Sequence, residues 1–429
     1  MRKMKDSGIE WIGDIPSDWD VCKILYCLKM PLTDGPHTTP ELYDDGVPFV
    51  SAEAVSCGNG RIDFEHIRGF ISEEFYQECC KKYVPHIDDI YMIKSGATTG
   101  KVAIVDTERK FTIWSPLAVF RTDIQKVLPK YMFYFLQSNG FQKQVELGWS
   151  FGTQQNIGMR ALERLNIAFP PLDEQKKIAD FLDEKCGEID SIRSDIQKQI
   201  DILNDYKKSV ITEAVTKGLD PKAKLKDSGI EWIGKIPEHW EIQKGKYVLK
   251  YLQKATREDD GVITCFRDGE VTLRSNRRED GFTISEKEIG YQGIDVGDLV
   301  VHGMDGFAGS IGISDSRGKA SPVLNVLDSS QNKRYLMYYL RSMAYNNVFV
   351  ALATGIRVRS CDLRWNKLAE LPYPLPPITE QNQIADYIEN TLKQTDEILT
   401  EKQKQLETLE EYKKSLIFEY VTGKKEVPA

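Results

Sequence analysis

The sequence predicts an α/β or α+β protein that consists of two copies of one unit, each a globular segment followed by a long helix. The nine residues KDSGIEWIG occur without a mismatch at 5–13 and again at 226–234. A second repeat, PPLDEQKKIADFLDEK at 170–185, is matched by PPITEQNQIADYIENT at 376–391. Two repeats in the same order indicate a duplicated unit, with a pseudo-two-fold relation between the copies.

The segments between these repeats have diverged. The second is shorter than the first, and only weak similarities survive, such as KYMFYFLQS at 130–138 against RYLMYYLRS at 334–342. An old duplication that drifted without purpose is the alternative, but drift would have altered the repeats as well. Repeats that have stayed nearly the same, around segments that have diverged, indicate one scaffold that presents two different recognition surfaces.

Each copy ends in a segment with a helical hydrophobic pattern, and we expect continuous helices at about 173–217 and 379–423. Asp173 and Thr379 are suitable helix caps, and Gly218 follows the first helix as a stop signal. A lone helix would leave its apolar stripe in water, so an antiparallel coiled coil is expected. The predicted seam residues are Ile189, Ile192, Ile196, Leu203 and Tyr206 on the first helix, and Ile398, Leu409, Tyr412 and Leu416 on the second.

The globular segments mix strand-like runs with helical ones. VPFVSAEAV (47–55), DIYMIKSG (89–96), GKVAIV (100–105) and LAVFRTD (117–123) predict strands, whereas KYMFYFLQSNGFQKQV (130–145) predicts a helix. The predicted boundaries are a first domain at 1–170, a first helix at 171–218, a second domain at 219–375, a second helix at 376–424 and a tail at 425–429.

Composition favours a protein of the reducing cytoplasm. No stretch approaches 18 apolar residues, and the N-terminus has no apolar signal region. The eight cysteines form no CxxC, and the five histidines do not fall at zinc-ligand spacing, so no structural metal is expected. The net charge of −8 argues mildly against nucleic acid, but local charge decides binding within a Debye length of about 8–10 Å.

Catalytic motifs are not evident. SGATTGK at 95–101 lacks the spacing of a phosphate loop and is followed by Val102. Asp88 or Asp89 with Glu108-Arg109-Lys110 imitates a magnesium-dependent nuclease, but the second copy has no counterpart. We therefore expect that this chain catalyses nothing alone.

Basic and amide side chains cluster in the loops of both inserts. Arginine side chains can pair with guanine, and asparagine or glutamine side chains can pair with adenine. Lysine and threonine side chains are suited to contacts with DNA phosphates. A single such cluster is more often a solvated face, but clusters precede both long helices. The candidate DNA-binding residues are Lys94, Thr98, Thr99, Lys101, Gln154, Gln155, Asn156 and Arg160 in the first insert, and Arg267, Arg274, Asn276, Arg277, Arg278, Arg357, Arg359 and Arg364 in the second.

Together, KDSGIEWIGDIPSDW with its repeat and the PPLDEQ and PPITEQ helix starts resemble the specificity subunit of type I restriction–modification systems, over nearly the whole chain. The resemblance implies that each globular segment is a target recognition domain for one half of a split DNA sequence. It implies that the paired helices set the gap and dock two modification subunits, which bring S-adenosylmethionine and methylate adenine. Restriction subunits that use ATP and Mg²⁺ would join for cleavage, and this chain would bind no cofactor itself.

A second hypothesis, from another functional class, is a non-catalytic two-headed scaffold that binds proteins and uses the coiled coil as a spacer. Only the acidic net charge favours it. A nuclease or methyltransferase is a distant third.

Overall fold

The computed structural model describes residues 2–150, 155–277, 288–352 and 363–428. The chain divides into two compact units, which are described separately: unit 1 comprises Met1–Ile196 with Gln403–Ala429, and unit 2 comprises Gln197–Lys402. Each unit therefore contains one globular segment and a part of each long helix. In the described ranges, no helix has the length and apolarity needed to cross a bilayer.

Unit 1 is built around an antiparallel sheet with the strand order β4–β10–β7–β8. Its strands are β1 (Met4–Asp6), β2 (Asp14–Pro16), β3 (Asp20–Lys23), β4 (Thr33–Asp34), β5 (Val47–Val50), β6 (Phe70–Ile71), β7 (Ile90–Ile93), β8 (Val102–Ile104), β9 (Thr112–Ile113), β10 (Leu117–Phe120) and β11 (Asn166–Phe169). Its short helices are α1 (Ala52–Cys57), α2 (Glu73–Cys80), α3 (Pro129–Gln137), α4 (Asn139–Leu147) and α5 (Met159–Glu163), with a 3-10 turn at Ile24–Cys27. β1 pairs with β2 and β3 with β11, while β5 lies between β6 and β9.

The central strands of unit 1 are buried on both faces, which explains their unbroken apolar sequences. Ile90 and Met92 of β7 face a core that includes α3 and the long helices, whereas Tyr91 and Ile93 face a second core that includes α1. Alternation along the strand thus places the sheet between two hydrophobic layers.

Two sequence predictions in unit 1 need correction. The strand predicted over 47–55 ends at Val50, and α1 begins at Ala52 after Ser51. The helix predicted over 130–145 is two helices, because Ser138 is extended (φ −64°, ψ 145°) and its hydroxyl accepts a hydrogen bond from Phe141 N. Ser138 thereby caps α4 and separates it from α3.

The first long helix, α6, covers Leu172–Lys217. Unit 2 then repeats the central sheet in the order β15–β22–β19–β20. Its strands are β12 (Leu225–Asp227), β13 (Lys235–Pro237), β14 (Glu241–Lys244), β15 (Lys250–Tyr251), β16 (Ile263–Cys265), β17 (Val271–Leu273), β18 (Gln292–Ile294), β19 (Leu299–His302), β20 (Ile311–Ile313), β21 (Gly318–Ala320), β22 (Leu324–Asp328) and β23 (Pro372–Leu375). Its short helices are α7 (Gly245–Val248), α8 (Lys333–Tyr345), α9 (Val348–Ala351) and α10 (Trp365–Leu368), with 3-10 turns at Arg274–Asn276 and Gly306–Ala308, and the second long helix α11 covers Ile378–Val421.

The long helices pair antiparallel within unit 1, as predicted. Lys413 of α11 contacts Asp190 of α6, and the preceding turn of α11 brings Glu410 to Arg193. The buried α6 residues Leu182, Cys186, Ile189 and Ile196 follow the alternating spacing of a heptad, and Arg193 fills the remaining position. This pattern is the seam of a coiled coil.

Unit 2 shows the same pairing. Lys207 of α6 lies 2.5 Å from Asp396 of α11, and Val210 and Ala214 are buried. Ile384 and Ile388 of α11 share a hydrophobic core with α6. Both predicted helices and their antiparallel arrangement are therefore confirmed within each unit.

The predicted seam residues do not all lie in the seam. Ile189, Ile196 and Leu416 are buried and Leu203 and Leu409 are half-buried, but Ile192, Tyr206, Ile398 and Tyr412 are exposed. On α6, Arg193 and Lys207 occupy seam positions of the heptad instead. Their long apolar stems can lie along the seam while their charged ends reach Glu410 and Asp396.

A buried glutamine anchors each long helix at its start. Gln175 accepts from Leu128 N at 2.8 Å and donates to the carbonyl oxygens of Lys126 and Pro170. Gln381 accepts from Asn332 N at 2.9 Å and donates to Pro376 O. Each side chain thus satisfies backbone groups that the turn before the helix would otherwise leave unpaired.

A buried tyrosine anchors each helix end. In unit 1, Tyr131 Oη lies 2.8 Å from Ala168 O and 2.9 Å from Val421 O. In unit 2, Tyr335 Oη lies 2.7 Å from Pro374 O and 3.2 Å from Val215 O. In both units, the hydroxyl of the corresponding tyrosine therefore joins the last strand of the globular segment to the end of a long helix.

Candidate nucleic-acid interface

Two loops that the sequence separates by more than fifty residues lie side by side in unit 1. The first is the β7–β8 loop, residues 94–101, and the second is the pre-helix loop before α5, of which residues 155–158 are described. Gly96 N donates to Gln155 O and Ile157 N donates to Lys94 O, each at 2.9 Å. The structure thus brings together the two parts of the first predicted cluster.

Lys94 is committed to an internal ion pair. Its Nζ lies 3.2 Å from Asp34 Oδ2, and its side chain is only 13% exposed. Lys82 Nζ lies 2.5 Å from the other carboxylate oxygen. Burial alone would raise the pKa of Asp34, but the hydrogen bonds from Lys82 and Lys94 hold it below its ordinary value. Lys94 therefore orders the base of the loop instead of presenting a free charge.

The remaining candidates of unit 1 lie on its surface or shape its turn. Thr99 Oγ1 donates to Gly96 O at 2.7 Å, which closes the turn of the β7–β8 loop, and Thr98 beside it is half-buried. Gln155 and Asn156 are exposed. So are Lys101, whose amine is 3.4 Å from Ser56 O, and Arg160 on α5. Gln154 lies outside the described residues.

Unit 2 repeats the loop pair with different side chains. Its β19–β20 loop, residues 303–310, meets the segment before α10 where Leu363 N donates to Gly303 O at 2.8 Å. Asn325 Nδ2 donates to Leu363 O at 2.9 Å and to Val301 O at 3.1 Å, so this buried amide ties the segment to the sheet. Arg278, Arg357 and Arg359 lie outside the described residues, and Arg364 is exposed at the N-cap of α10.

His302 shapes the start of the β19–β20 loop. Its Nδ1 accepts hydrogen bonds from Met304 N at 3.2 Å and Asp305 N at 2.9 Å. Burial lowers the pKa of His302, which favours the neutral ring that this acceptor role requires.

Two arginines of unit 2 are paired with carboxylates. Arg267 is 60% exposed and lies 3.2 Å from Asp305 on the β19–β20 loop. Arg277 lies 2.5 Å from Asp268 and 3.2 Å from Glu270, and its guanidinium stands over the Phe266 ring. Arg267 is thus placed at the candidate surface, whereas Arg277 mainly braces the β16–β17 hairpin.

The other two candidates bond within the same hairpin. Arg274 Nε donates to Thr264 Oγ1 at 3.2 Å, and Asn276 Nδ2 donates to Thr272 Oγ1 at 2.9 Å. Both side chains therefore support the hairpin through its threonines.

Several residues that order these loops escaped sequence reasoning. Asp34 and Asp305 bind arginine or lysine partners that are distant in sequence, so no local pattern reveals them. Asn325 carried a signal, because a polar residue inside the buried strand LNVLD must find hydrogen-bond partners.

The predicted magnesium-site mimic and the search for other metal ligands can be judged in the part of the chain that the structure describes. There, no group of three or more His, Cys, Asp or Glu side chains could hold a metal ion. Asp89, one of the nuclease-like carboxylates, is 1% exposed and pairs with Arg121 at 2.7 Å. It is thus part of an internal salt bridge.

The sequence of this chain matches those of known proteins. Residues 19–202 and 240–408 match the family described as type I restriction modification DNA specificity domain. The type I restriction enzyme MjaVIII specificity subunit of Methanocaldococcus jannaschii is 25% identical over 430 residues, which are 96% of this chain and 93% of that protein.

Two solved structures share the fold. One was solved in work on complex assembly and conformational transition of the type I R-M system. It has a TM-score of 0.69 and a sequence identity of 14%, and the match covers 96% of this chain and 99% of the other. The HsdS subunit from Thermoanaerobacter tengcongensis has a TM-score of 0.50, also at 14% identity, covering 96% and 98%. Since the family match takes in both units and most of the chain, this protein belongs to the type I restriction–modification DNA specificity family.

Proposed function

We propose that the protein reads a bipartite DNA target, one half with each unit, and directs adenine methylation and restriction by partner subunits. The observation that carries this proposal is the repeated loop pair. Both units set a loop of the central sheet beside the segment before a short helix, in the same sheet order but with different side chains. A common frame with different hydrogen-bonding groups is suited to two different base sequences.

The exposed side chains supply the chemistry of recognition. Gln155 and Asn156 in unit 1 can pair with adenine, and Arg267 in unit 2 can pair with guanine once its bond to Asp305 is exchanged. Exposed Lys101 is suited to a phosphate. The ion pairs beneath the loops fix their shape before DNA arrives, which reduces the entropy lost on binding.

The helix pairs offer two equivalent docking faces for two modification subunits. Ile192 and Tyr412 in unit 1 occupy the same heptad position beside the seam, as do Tyr206 and Ile398 in unit 2, and all four are 46–56% exposed. Each unit therefore presents one isoleucine and one tyrosine at matching sites. Exposed apolar groups of this kind favour a protein partner. The modification subunits would supply S-adenosylmethionine, and restriction subunits would supply ATP- and Mg²⁺-dependent cleavage.

Exchange of one recognition segment tests the proposal. Residues 236–375 are replaced by the corresponding segment of a relative, and the methylated motif is read by sequencing the genome of a host that expresses the complex. We expect one half of the motif to change. The matched exchange of residues 15–169 should change the other half alone. If either exchange altered both halves, or neither, the two-reader proposal would fail.

A further inference from the structure

Two cysteine side chains of unit 1 lie in contact near the end of β3. Cys22 is on this strand and Cys27 closes the 3-10 turn that follows it, and their sulfur atoms are 3.3 Å apart. Cys27 is buried in the core of the unit, whereas Cys22 is half-buried. The sulfur atoms of a disulfide are about 2 Å apart, so a movement of about 1 Å would bring these two to bonding distance.

Unit 2 has the same local structure without the thiols. The register of β14 against β23 places Gln243 where Cys22 lies in unit 1, and Val248 ends the corresponding turn. Val248 is buried like Cys27, and Gln243 is half-buried like Cys22. The fold therefore needs a small apolar residue in the turn, a role that a free cysteine commonly fills. It does not need a second thiol on the strand against it.

The surroundings of Cys22 favour its thiolate, which is the form of cysteine that attacks an oxidant. A hydrogen bond from the Cys27 thiol lowers the pKa of Cys22, and the positive charge of Lys126 acts in the same direction. The same hydrogen bond, together with burial, raises the pKa of Cys27. The accessible sulfur is thus the better nucleophile, and the buried thiol stands beside it with its proton retained.

We propose that Cys22 and Cys27 form a modification site, at which a hydroperoxide converts the two thiols reversibly into a disulfide within unit 1. The Cys22 sulfur attacks an oxygen of the hydroperoxide, the O–O bond breaks to release water or an alcohol, and a sulfenic acid forms. The Cys27 sulfur then attacks the sulfenic sulfur, the S–O bond breaks and water leaves. The two thiols lose two electrons and two protons, and the hydroperoxide takes up both.

The disulfide would brace a part of unit 1 that adjoins the candidate interface. The turn that it closes is bonded to the chain just after α5, where Ile24 N donates to Leu165 O at 2.8 Å. α5 itself follows the pre-helix loop, and unit 2 has no thiol pair at the matching positions. The modification is therefore confined to unit 1. Because it would form without DNA or a partner subunit, its test is independent of the proposed function.

Trypsin offers a direct test, because Lys23 lies between the two cysteines. Cleavage on either side of this pair places Cys22 in peptide 6–23 and Cys27 in peptide 24–29. The folded full-length chain is treated with hydrogen peroxide, its remaining thiols are blocked with N-ethylmaleimide, and the digest is analysed by mass spectrometry. We expect the two peptides to be joined after oxidation and to separate when dithiothreitol is added.

The residues of unit 2 supply matched variants that suit the fold, and thermal unfolding checks that each variant is folded. Cys27→Val should abolish the joined peptide and leave Cys22 as a sulfenic acid, which dimedone labels. Cys22→Gln should abolish the joined peptide and leave the buried Cys27 unlabelled. Dimedone labelling of Cys27 in that variant as fast as that of Cys22 would contradict the assigned order of attack.

The exposed Cys57 shows in the same digest whether the oxidant has acted. If Cys57 is oxidised in the wild-type chain while peptides 6–23 and 24–29 stay separate, the proposed site is wrong. It is equally wrong if the two peptides join only when the chain is unfolded in urea before the peroxide is added, because the contact in the folded chain would then have no part in the reaction.

Discussion

Lys413 Nζ lies 2.7 Å from Asp190 Oδ1, and this pair in unit 1 corresponds by the internal repeat to Lys207 and Asp396 in unit 2. The Lys413 side chain is 13% exposed, whereas that of Lys207 is 27% exposed. A charged residue thus occupies the same seam position in both units, with more shielding from water in unit 1.

Removal of one partner should distinguish the two pairs. Asp190→Ala leaves Lys413 uncompensated and should reduce the free energy of unfolding by about 1–3 kcal/mol, measured by urea denaturation. Asp396→Ala, at the more exposed pair, should cost about 0–1 kcal/mol. Combining Asp190→Ala with Lys413→Met should recover much of the loss. Equal costs at both pairs would contradict this account.

The seam assignment is open to a similar test. Ile196 is 8% exposed and Ile192 is 49% exposed. Ile196→Asp should destabilise the protein by about 2–5 kcal/mol because a charge would enter an apolar contact. Ile192→Asp should change the stability by about 0.5 kcal/mol or less. A larger effect at Ile192 than at Ile196 would place the seam elsewhere.

The loop residues should act on separate half-sites. Asn156→Ala should weaken binding to the half-site of unit 1, and Arg267→Ala binding to the other, each by about 1–3 kcal/mol. Lys101→Ala should weaken binding to all sequences alike and reduce the salt dependence. Titration of duplexes with one half-site scrambled measures these effects. If Asn156→Ala weakened binding to both half-sites equally, the assignment of one half-site to each unit would be wrong.

His302 should make unit 2 sensitive to moderate acid. Burial lowers the pKa of the folded-state ring below its ordinary 6.5. The stabilising contribution of the neutral ring is therefore present above pH 6.5 and is lost as the pH falls through the lower folded-state pKa. Unfolding followed between pH 7.5 and pH 5 should show this loss. His302→Asn retains an acceptor that does not titrate, so its stability should depend less on pH, and an unchanged slope would refute the assignment.

The two-to-one assembly is also testable. The wild-type chain should co-purify with two modification subunits, because each unit offers the same isoleucine–tyrosine pair beside its seam. Tyr412→Arg should reduce binding at unit 1 alone. Light scattering of the complex would report the change in mass, and a chain that ignores the modification subunit would contradict the proposed assembly.

The sequence predicted the long helices well because their signals are local. The observed bounds, Leu172–Lys217 and Ile378–Val421, agree within two residues with 173–217 and 379–423. Hydrophobic spacing determines such ends. The predicted caps were wrong, because the helices begin at Leu172 and Ile378 and so place Asp173 and Thr379 inside the first turn. The seam was harder to predict: Ile192 was expected to lie in it but is exposed, and the neighbouring Arg193 lies there instead with its charge paired to Glu410.

The loops show the limit of local reasoning. The two parts of the first predicted cluster do meet, but the role of Lys94 depends on Asp34, which lies on a different strand. Nothing near Lys94 in the sequence reveals that partner. Partners of this kind are fixed by strand order, which the sequence left undetermined.

The hydrogen bonds by which Tyr131 and Tyr335 attach the globular segments to the long helices have a consequence for how this protein can evolve. Each tyrosine hydroxyl donates to backbone oxygens, those of Ala168 and Val421 in unit 1 and of Pro374 and Val215 in unit 2. Since a carbonyl oxygen is the same whatever side chain it carries, the attachment does not depend on neighbouring residue identity. An acquired segment that carries its own tyrosine would therefore find the acceptor on the long helix, Val421 O or Val215 O, already in place, so exchange of a whole segment by recombination preserves this attachment.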